Sequence, residues 1–206
     1  MRENPAYSAT DAGVVRRLIE ENPWATIVSQ GPRGLIASHY PVLVDEEREQ
    51  LTVLTHLGRP DEELHGFGSG EVLLIVAGPH GYISPSWYAA GATRVPTWNF
   101  AVAHCYGTPE ILDAEENLRV LGRLVERFER RVEEPRLLDP EIGARIALGT
   151  VGLRLPVERF VCKVKMSQKE DRPSQERVLE QLRGDGPYAS PALAAEMARA
   201  LGGAAG

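Results

Sequence analysis

Lysine is almost missing from this 206-residue chain: of 23 basic residues only three are Lys, and Lys163, Lys165 and Lys169 lie within seven positions of one another. Where Arg is otherwise the rule, such a cluster suits either a compact charge for a phosphate, carboxylate or propionate, or an edge strand protected by Lys. Cysteine is scarce too. Cys105 and Cys162 sit in apolar, strand-like segments and read as buried thiols of a reducing compartment, with no zinc-type spacing. No apolar run reaches transmembrane length, and residues 1–13 lack the apolar core of a signal peptide, so a soluble, cytoplasmic protein without a membrane partner is expected. A net charge of −6 argues against a general polyanion-binding surface, and nucleic acid is not an expected partner. GxGxxG, Walker A, GxSxG and HExxH motifs are absent, which removes local support for dinucleotide, phosphoryl-transfer, acyl-transfer and zinc-protease chemistry. No internal repeat occurs.

What the chain does have is concentrated between Gly78 and Gly107. Two of its three Trp, three of its six Tyr and two of its five His fall there. Tyr82, Trp87, Tyr88, Trp98, His104 and Tyr106 combine apolar bodies with polar tips, the chemistry of a dry, directional site for a planar ligand. Pro79, Pro85 and Pro96, with Gly78, Gly81 and Gly91, predict a rigid, twice-bent loop between two strands.

Around this stretch the patterning predicts an α+β chain. Thr10 can cap a helix over 11–21, and strands are expected at 24–30 and 35–45, joined by a GPRG turn, and at 51–56. His39 alternates with Leu35 and Ala37 and reads as a structural histidine. A short helix, RPDEELHGF, follows Arg59. The run VLLIVAG predicts a strand over 71–78, and 97–113 predicts another in which Val102, His104 and Tyr106 share a face opposite Ala101, Ala103 and Cys105. That face either lines a pocket or packs in the core. Asp113 and Glu116 form an aspartate capping box for a helix to Val132, with Leu118, Leu121, Val125, Phe128 and Val132 as its core stripe. Asp139 and Pro140 open a short helix, and 152–168 reads as a last long strand broken by Pro156, with Lys163 and Lys165 on one face. Two helices and a disordered GGAAG end complete the chain.

The runs GPHGYISPSWY and VPTWNFAVAHCYG resemble the two signature segments of the PaiB-type family, described as FMN-binding negative transcriptional regulators. SHYPVLVD, THLGRPDEEL and KVKMSQ extend the likeness outward through almost the whole chain. The resemblance implies a six-stranded antiparallel split β-barrel of the FMN-binding type with flanking helices. It would occupy 1–170, with a C-terminal helical extension and tail over 171–206, and form a homodimer with its cofactor near the subunit interface. The chain departs from the family at KMSQKEDR, where Lys169 and Glu170 replace an expected Asn and Arg, and at His65.

Those departures make the sequence similar to a branch of haem-dependent piperazate synthases, which cyclise N5-hydroxy-L-ornithine by nitrogen–nitrogen bond formation with loss of water. By that resemblance His65 is the axial ligand of haem b, and Gly66 leaves room for the macrocycle; the plainer reading is a surface histidine on a polar helix. His56 and Arg59 would lie near the cofactor, although His56 at a strand end equally suits a backbone bond. Trp87, Tyr88, Thr97, Trp98, Asn99, Lys163, Ser167 and Gln168 complete the expected cofactor site. Tyr106, His104, Arg94 and Lys165 are the candidates for proton transfer and for anchoring the carboxylate of a hydroxylated amino-acid substrate. The alternatives are an FMN-binding repressor of the PaiB type and a flavin-dependent oxidoreductase, since Trp98 and Tyr88 suit an isoalloxazine as well as a porphyrin.

Overall fold

The structure is a computed structural model that describes residues 1–2, 4–31, 34–68, 70–89 and 94–202. The interior of the expected GPRG turn, Gly91 and the part of the expected GGAAG end beyond Gly202 lie outside the described residues. The chain forms two compact units, one of residues 1–11, 77–103 and 161–206, the other of residues 12–76 and 104–160. Nine strands and six α-helices are present among the described residues, so the expected six-stranded barrel is corrected to nine strands. The difference arises where single runs were expected. The run over 152–168 is two strands, β8 (Thr150–Pro156) and β9 (Arg159–Lys165), because Pro156 ends the first; short β1 (Ser8–Ala9) and β7 (Glu110–Ile111) lack any periodic signal.

In the second unit β2 (Trp24–Gly31) pairs antiparallel with β3 (Gly34–Val44), with Trp24 opposite Pro41. β4 (Thr52–Gly58) pairs with β3 and with β8, and the strand order is β5-β2-β3-β4-β8-β7. Helices α1 (Ala12–Glu21), α2 (Arg59–His65), α3 (Ala114–Glu129) and α4 (Pro140–Gly149) complete it. Val15, Leu18 and Ile19 of α1 are buried, as their spacing requires. On α3 the buried residues are Asn117, Val120, Leu121 and Leu124, while Phe128 is exposed and Val132, expected as the last helical residue, is exposed beyond the helix end at Glu129, so the expected stripe is rotated and shortened. Asn117 explains the rotation. Its amide donates to Ala147 O at 3.3 Å and Thr150 O at 3.1 Å, tying α3 to the junction of α4 and β8. Asp113 caps Glu116 N at 2.9 Å, but the Glu116 carboxylate goes to Arg154 at 2.7 Å instead of closing a capping box.

Gly107 ends β6 (Thr97–Gly107) where a Cβ would lie 2.1 Å from Pro156 O, a backbone atom that cannot rotate away. Gly107→Ala should therefore cost roughly 1–3 kcal/mol by forcing the strands apart. Gly149→Ala, with nothing within 4 Å of the new Cβ, serves as the near-neutral control. Equal denaturation midpoints for the two variants would contradict this packing.

In the first unit the order is β1-β9-β6-β5, with β1 and β9 antiparallel. β5 (Val72–Ile83) carries on through Gly78, Pro79 and Gly81, so the first part of the expected loop is strand. A 3-10 turn, Pro85–Trp87, follows. Helices α5 (Arg172–Arg183) and α6 (Pro191–Gly202), expected as an appended extension, belong to this unit, with Leu182, Leu193 and Met197 fully buried. Asp171 caps α5 by accepting from Ser174 N at 2.8 Å. No described helix is long and apolar enough to cross a membrane.

Candidate functional site

The polar side chains singled out by sequence fall into two sets, one in each unit. In the first unit Tyr7, Tyr88, Arg94, Val95, Thr97, Asn99, Lys165, Ser167, Lys169 and Glu170 line a pocket of about 180 Å³. The local sequence accounts for its shape. Beyond β9 the chain turns at Ser167, whose φ of 60° makes it the one described non-glycine residue in the left-handed region. Such a backbone costs of order 1–3 kcal/mol and persists where its surroundings hold it. Here Asn99, fully buried, donates to Ser167 Oγ at 2.9 Å. Gln168 spends both ends of its amide on the same turn, accepting from Met166 N at 2.6 Å and donating to Val164 O at 2.5 Å. Gln168 is thus a brace for the turn.

Lys165 Nζ donates to Thr97 Oγ1 and to Trp98 O at 3.0 Å, which leaves the ammonium one further donor. Burial, followed by the charge of Lys163, pulls its pKa below the ordinary lysine value, with Glu170 acting in the opposite sense. Lys169 Nζ lies 5.3 Å from the centre of the Tyr7 ring. Arg94 and Glu170 form an ion pair at 2.6 Å along the rim. Tyr88 is buried, and burial with the nearby Glu170 charge raises its phenol, so it stays protonated and able to donate. Lys163, expected on the same strand face as Lys165, lies over Phe100 at 5.6 Å and is not among the residues that line the pocket. Trp98 is 54% exposed and Trp87 half-buried nearby in sequence. Sequence reasoning missed Tyr7 and Glu170 as pocket residues and named Lys169 only as part of the lysine cluster. The departure at KMSQKEDR was the available signal for Glu170.

In the second unit His65 is 2% exposed, not the surface histidine its polar helix suggests. Its Nδ1 lies 2.8 Å from Ser29 Oγ and its Nε2 2.9 Å from Ser38 Oγ. Ser29 Oγ also donates to His65 O at 3.3 Å, so it accepts from Nδ1–H, and Nε2 is the acceptor from Ser38. The ring stacks on Phe67 at 4.6 Å and 8°. Burial holds its pKa below the usual imidazole value, against the pull of Asp61. Gly66 adopts φ 64°, ψ 41° and its N–H bonds Glu62 O, so this glycine is the helix cap of α2.

His56 and His104 are half-buried, and each keeps a buried Nδ1 without a partner among the described residues. Burial lowers the pKa of both. Tyr106 lies beneath the Arg159 guanidinium at 3.6 Å, and Arg59 Nε donates to Leu148 O at 3.0 Å. Ala101, Ala103 and Cys105 are the buried face of β6, which places Phe100, Val102, His104 and Tyr106 on its half-exposed face and removes the core reading.

Three imidazoles with depressed pKa values set a pH dependence. The unfolded chain binds protons below 6.5, where the folded one resists them, so this contribution to stability is full above pH 6.5 and is lost as pH falls toward the folded values. Thermal midpoints should fall on acidification from neutrality and fall less steeply in His56→Asn/His104→Asn. An identical slope in that variant would remove the two histidines from the explanation.

The strand order, the six helices and the pocket define a mixed α/β protein with an antiparallel sheet and a polar pocket that carries Lys165 and Lys169. Solved structures with the same fold include an FAD- and haem-binding protein from Mycobacterium smegmatis (TM-score 0.60, 16% identity, 82% of this chain and 78% of that one). The flavocytochrome Anf3 from Azotobacter vinelandii is similar at TM-score 0.61 and 14% identity, over 80% and 72% of the two chains. These place the chain in the split-barrel class. Residues 1–159 match the family described as "Putative FMN-binding domain", and the chain belongs to it, in its PaiB-type group. It is 29% identical over 183 residues to the Bacillus subtilis protease synthase and sporulation protein PAI 2, covering 87% of each.

Proposed function

We propose that this chain binds FMN by its phosphate in the pocket around Lys165 and Lys169 and acts as a flavin-dependent oxidoreductase. The observation that carries the reading is the convergence of the remaining Lys165 donor, Lys169 and the strained Ser167 turn on one pocket sized for an anionic head. These residues fit a phosphate. Asn99 orients the Ser167 hydroxyl, and Lys165 supplies a compact charge held in place by Thr97 and the Trp98 carbonyl. Bound FMN supplies hydride-accepting chemistry. The chain contributes Tyr88 as a protonated phenol at the pocket wall and an Arg94–Glu170 ion pair at its rim. The net charge of −6 favours this reading over the DNA-binding repressor.

A second reading is the haem-dependent piperazate synthase, which would cyclise N5-hydroxy-L-ornithine. Iron at His65 does not fit the arrangement, because Nε2 is buried and faces Ser38 Oγ at 2.9 Å. The observation favouring haem is instead that His56 and His104 are neutral imidazoles with unpartnered ring nitrogens, the form that ligates iron. Spectral titration of the purified protein with FMN and with haemin separates the two. Saturable FMN uptake followed by bleaching with NADPH supports the first reading. Haem uptake with a strong Soret band and no FMN binding would replace it with the second, and turnover of N5-hydroxy-L-ornithine would then be assayed.

A further inference from the structure

A second cavity in the first unit, of about 350 Å³, is lined by Tyr82, Ser84, Trp87, Gln181 and residues 186–189. We infer that it is a separate binding site for a neutral, planar heteroaromatic ring with an amide-type edge, the class to which an adenine base belongs. Tyr188 lies 5.0 Å from Tyr82 at 50° and 6.5 Å from Trp87 at 58°, so two rings are inclined to a third and form an aromatic corner. Trp98 extends the array, edge-on to Tyr82 at 6.4 Å. Tyr188 is 53% exposed, which leaves ring surface open for stacking.

The corner is tied on both sides. Arg177 Nε donates to Trp87 O at 3.1 Å, and Ala89 N donates to Ser174 Oγ at 3.0 Å, fastening the 3-10 turn to α5. Ala189 N bonds Gly186 O at 2.9 Å and Ser190 N bonds Leu182 O at 2.8 Å, shaping the loop that carries Tyr188. No lining side chain is charged, so the cavity offers neither a partner for a phosphate or carboxylate nor an acid for an organic cation. Beside the phenol and indole tips of its aromatics, its polar groups are the Ser84 hydroxyl, already bonded to Ser86, and the Gln181 amide, whose side chain has no partner among the described residues. An amide presents a donor and an acceptor side by side, which matches the edge of a base, while aromatic faces hold its plane. Gln181 and Tyr188 lie beyond the 1–159 family match, so this site is built in part by the C-terminal helices.

Adenosine, which has no phosphate, is the probe, with saturation-transfer NMR and calorimetry on the full chain as the measurements. We expect saturable binding that weakens about tenfold or more in Tyr188→Ala, in line with the worth of base–aromatic stacking, and is retained in Tyr188→Phe. Gln181→Leu, at an exposed position, should weaken it several-fold with circular dichroism unchanged, and Lys165→Met should leave it intact. Absence of saturation, indifference to both Tyr188→Ala and Gln181→Leu, displacement by choline, or loss in Lys165→Met would each overturn the inference. The last outcome would assign adenosine to the anion pocket. Failure of FMN to bind leaves these results unaffected, so the two sites stand or fall separately.

Discussion

Asp45→Ala is expected to destabilise the protein by about 3–5 kcal/mol, the usual consequence of removing one partner from a buried ion cluster. Asp45 is 1% exposed and Arg154 8%. Asp45 Oδ1 accepts from Arg123 Nη1 at 3.2 Å, and its Oδ2 faces Arg154 Nε at 3.5 Å, a charge contact too poorly aimed to satisfy that nitrogen. Arg154 keeps Glu116 at 2.7 Å and Glu110 at 3.4 Å, but both carboxylates are more open to water than Asp45. Truncation therefore removes the most buried of the three carboxylates facing Arg154 and leaves its Nε with no counter-charge. Adding Arg154→Met to Asp45→Leu should recover much of the loss, because that under-compensated charge is then gone. Urea denaturation of the three variants decides the matter; a loss below about 1 kcal/mol for Asp45→Ala would show that water reaches the cluster.

The second large effect is expected at Lys165. Lys165→Met should weaken FMN binding about 10- to 100-fold, since a charged hydrogen bond contributes about 1.5–3 kcal/mol and the methionine keeps the apolar stem. Lys169→Met should cost less, because Lys169 lacks the two fixed protein contacts that aim the Lys165 ammonium. The pH dependence has a definite sign. The protonated lysine binds the anion, and its pKa is held below 10.5, so affinity should fall with rising pH before the ordinary lysine range is reached. Fluorescence titration of FMN across alkaline pH tests both points. Unchanged affinity in Lys165→Met would remove the pocket from the proposed function.

Much of the secondary structure was legible because its causes are local. The caps at Asp113, Asp139 and Ser190, and the alternation that separates Ala101, Ala103 and Cys105 from His104 and Tyr106, depend on residues within a turn or two. Two members of the lysine cluster, Lys165 and Lys169, line the pocket of the first unit, whereas Lys163 does not. The α3 stripe was not legible in the same way. Its periodicity admits a rotation, and Asn117 chose it by bonding to Ala147 and Thr150, which are 30 residues or more away.

The sequence by itself determined the family, the helices and the longer strands, and the ending at which Lys169 and Glu170 depart from the expected pattern. Only tertiary structure decided the fate of His65. A histidine on a polar heptapeptide beside glycine has the same sequence whether it faces water, iron or protein; Ser29 and Ser38, brought to its two nitrogens from β2 and β3, made it a satisfied interior residue. Tertiary structure also drew Tyr7, Tyr88, Thr97 and Lys165 into one pocket and set Tyr188 against Tyr82 and Trp87. Those meetings join residues as far apart along the chain as Tyr7 and Lys165 or Tyr82 and Tyr188. Local propensity carries no information about such distances, because they are set by strand pairing and helix packing.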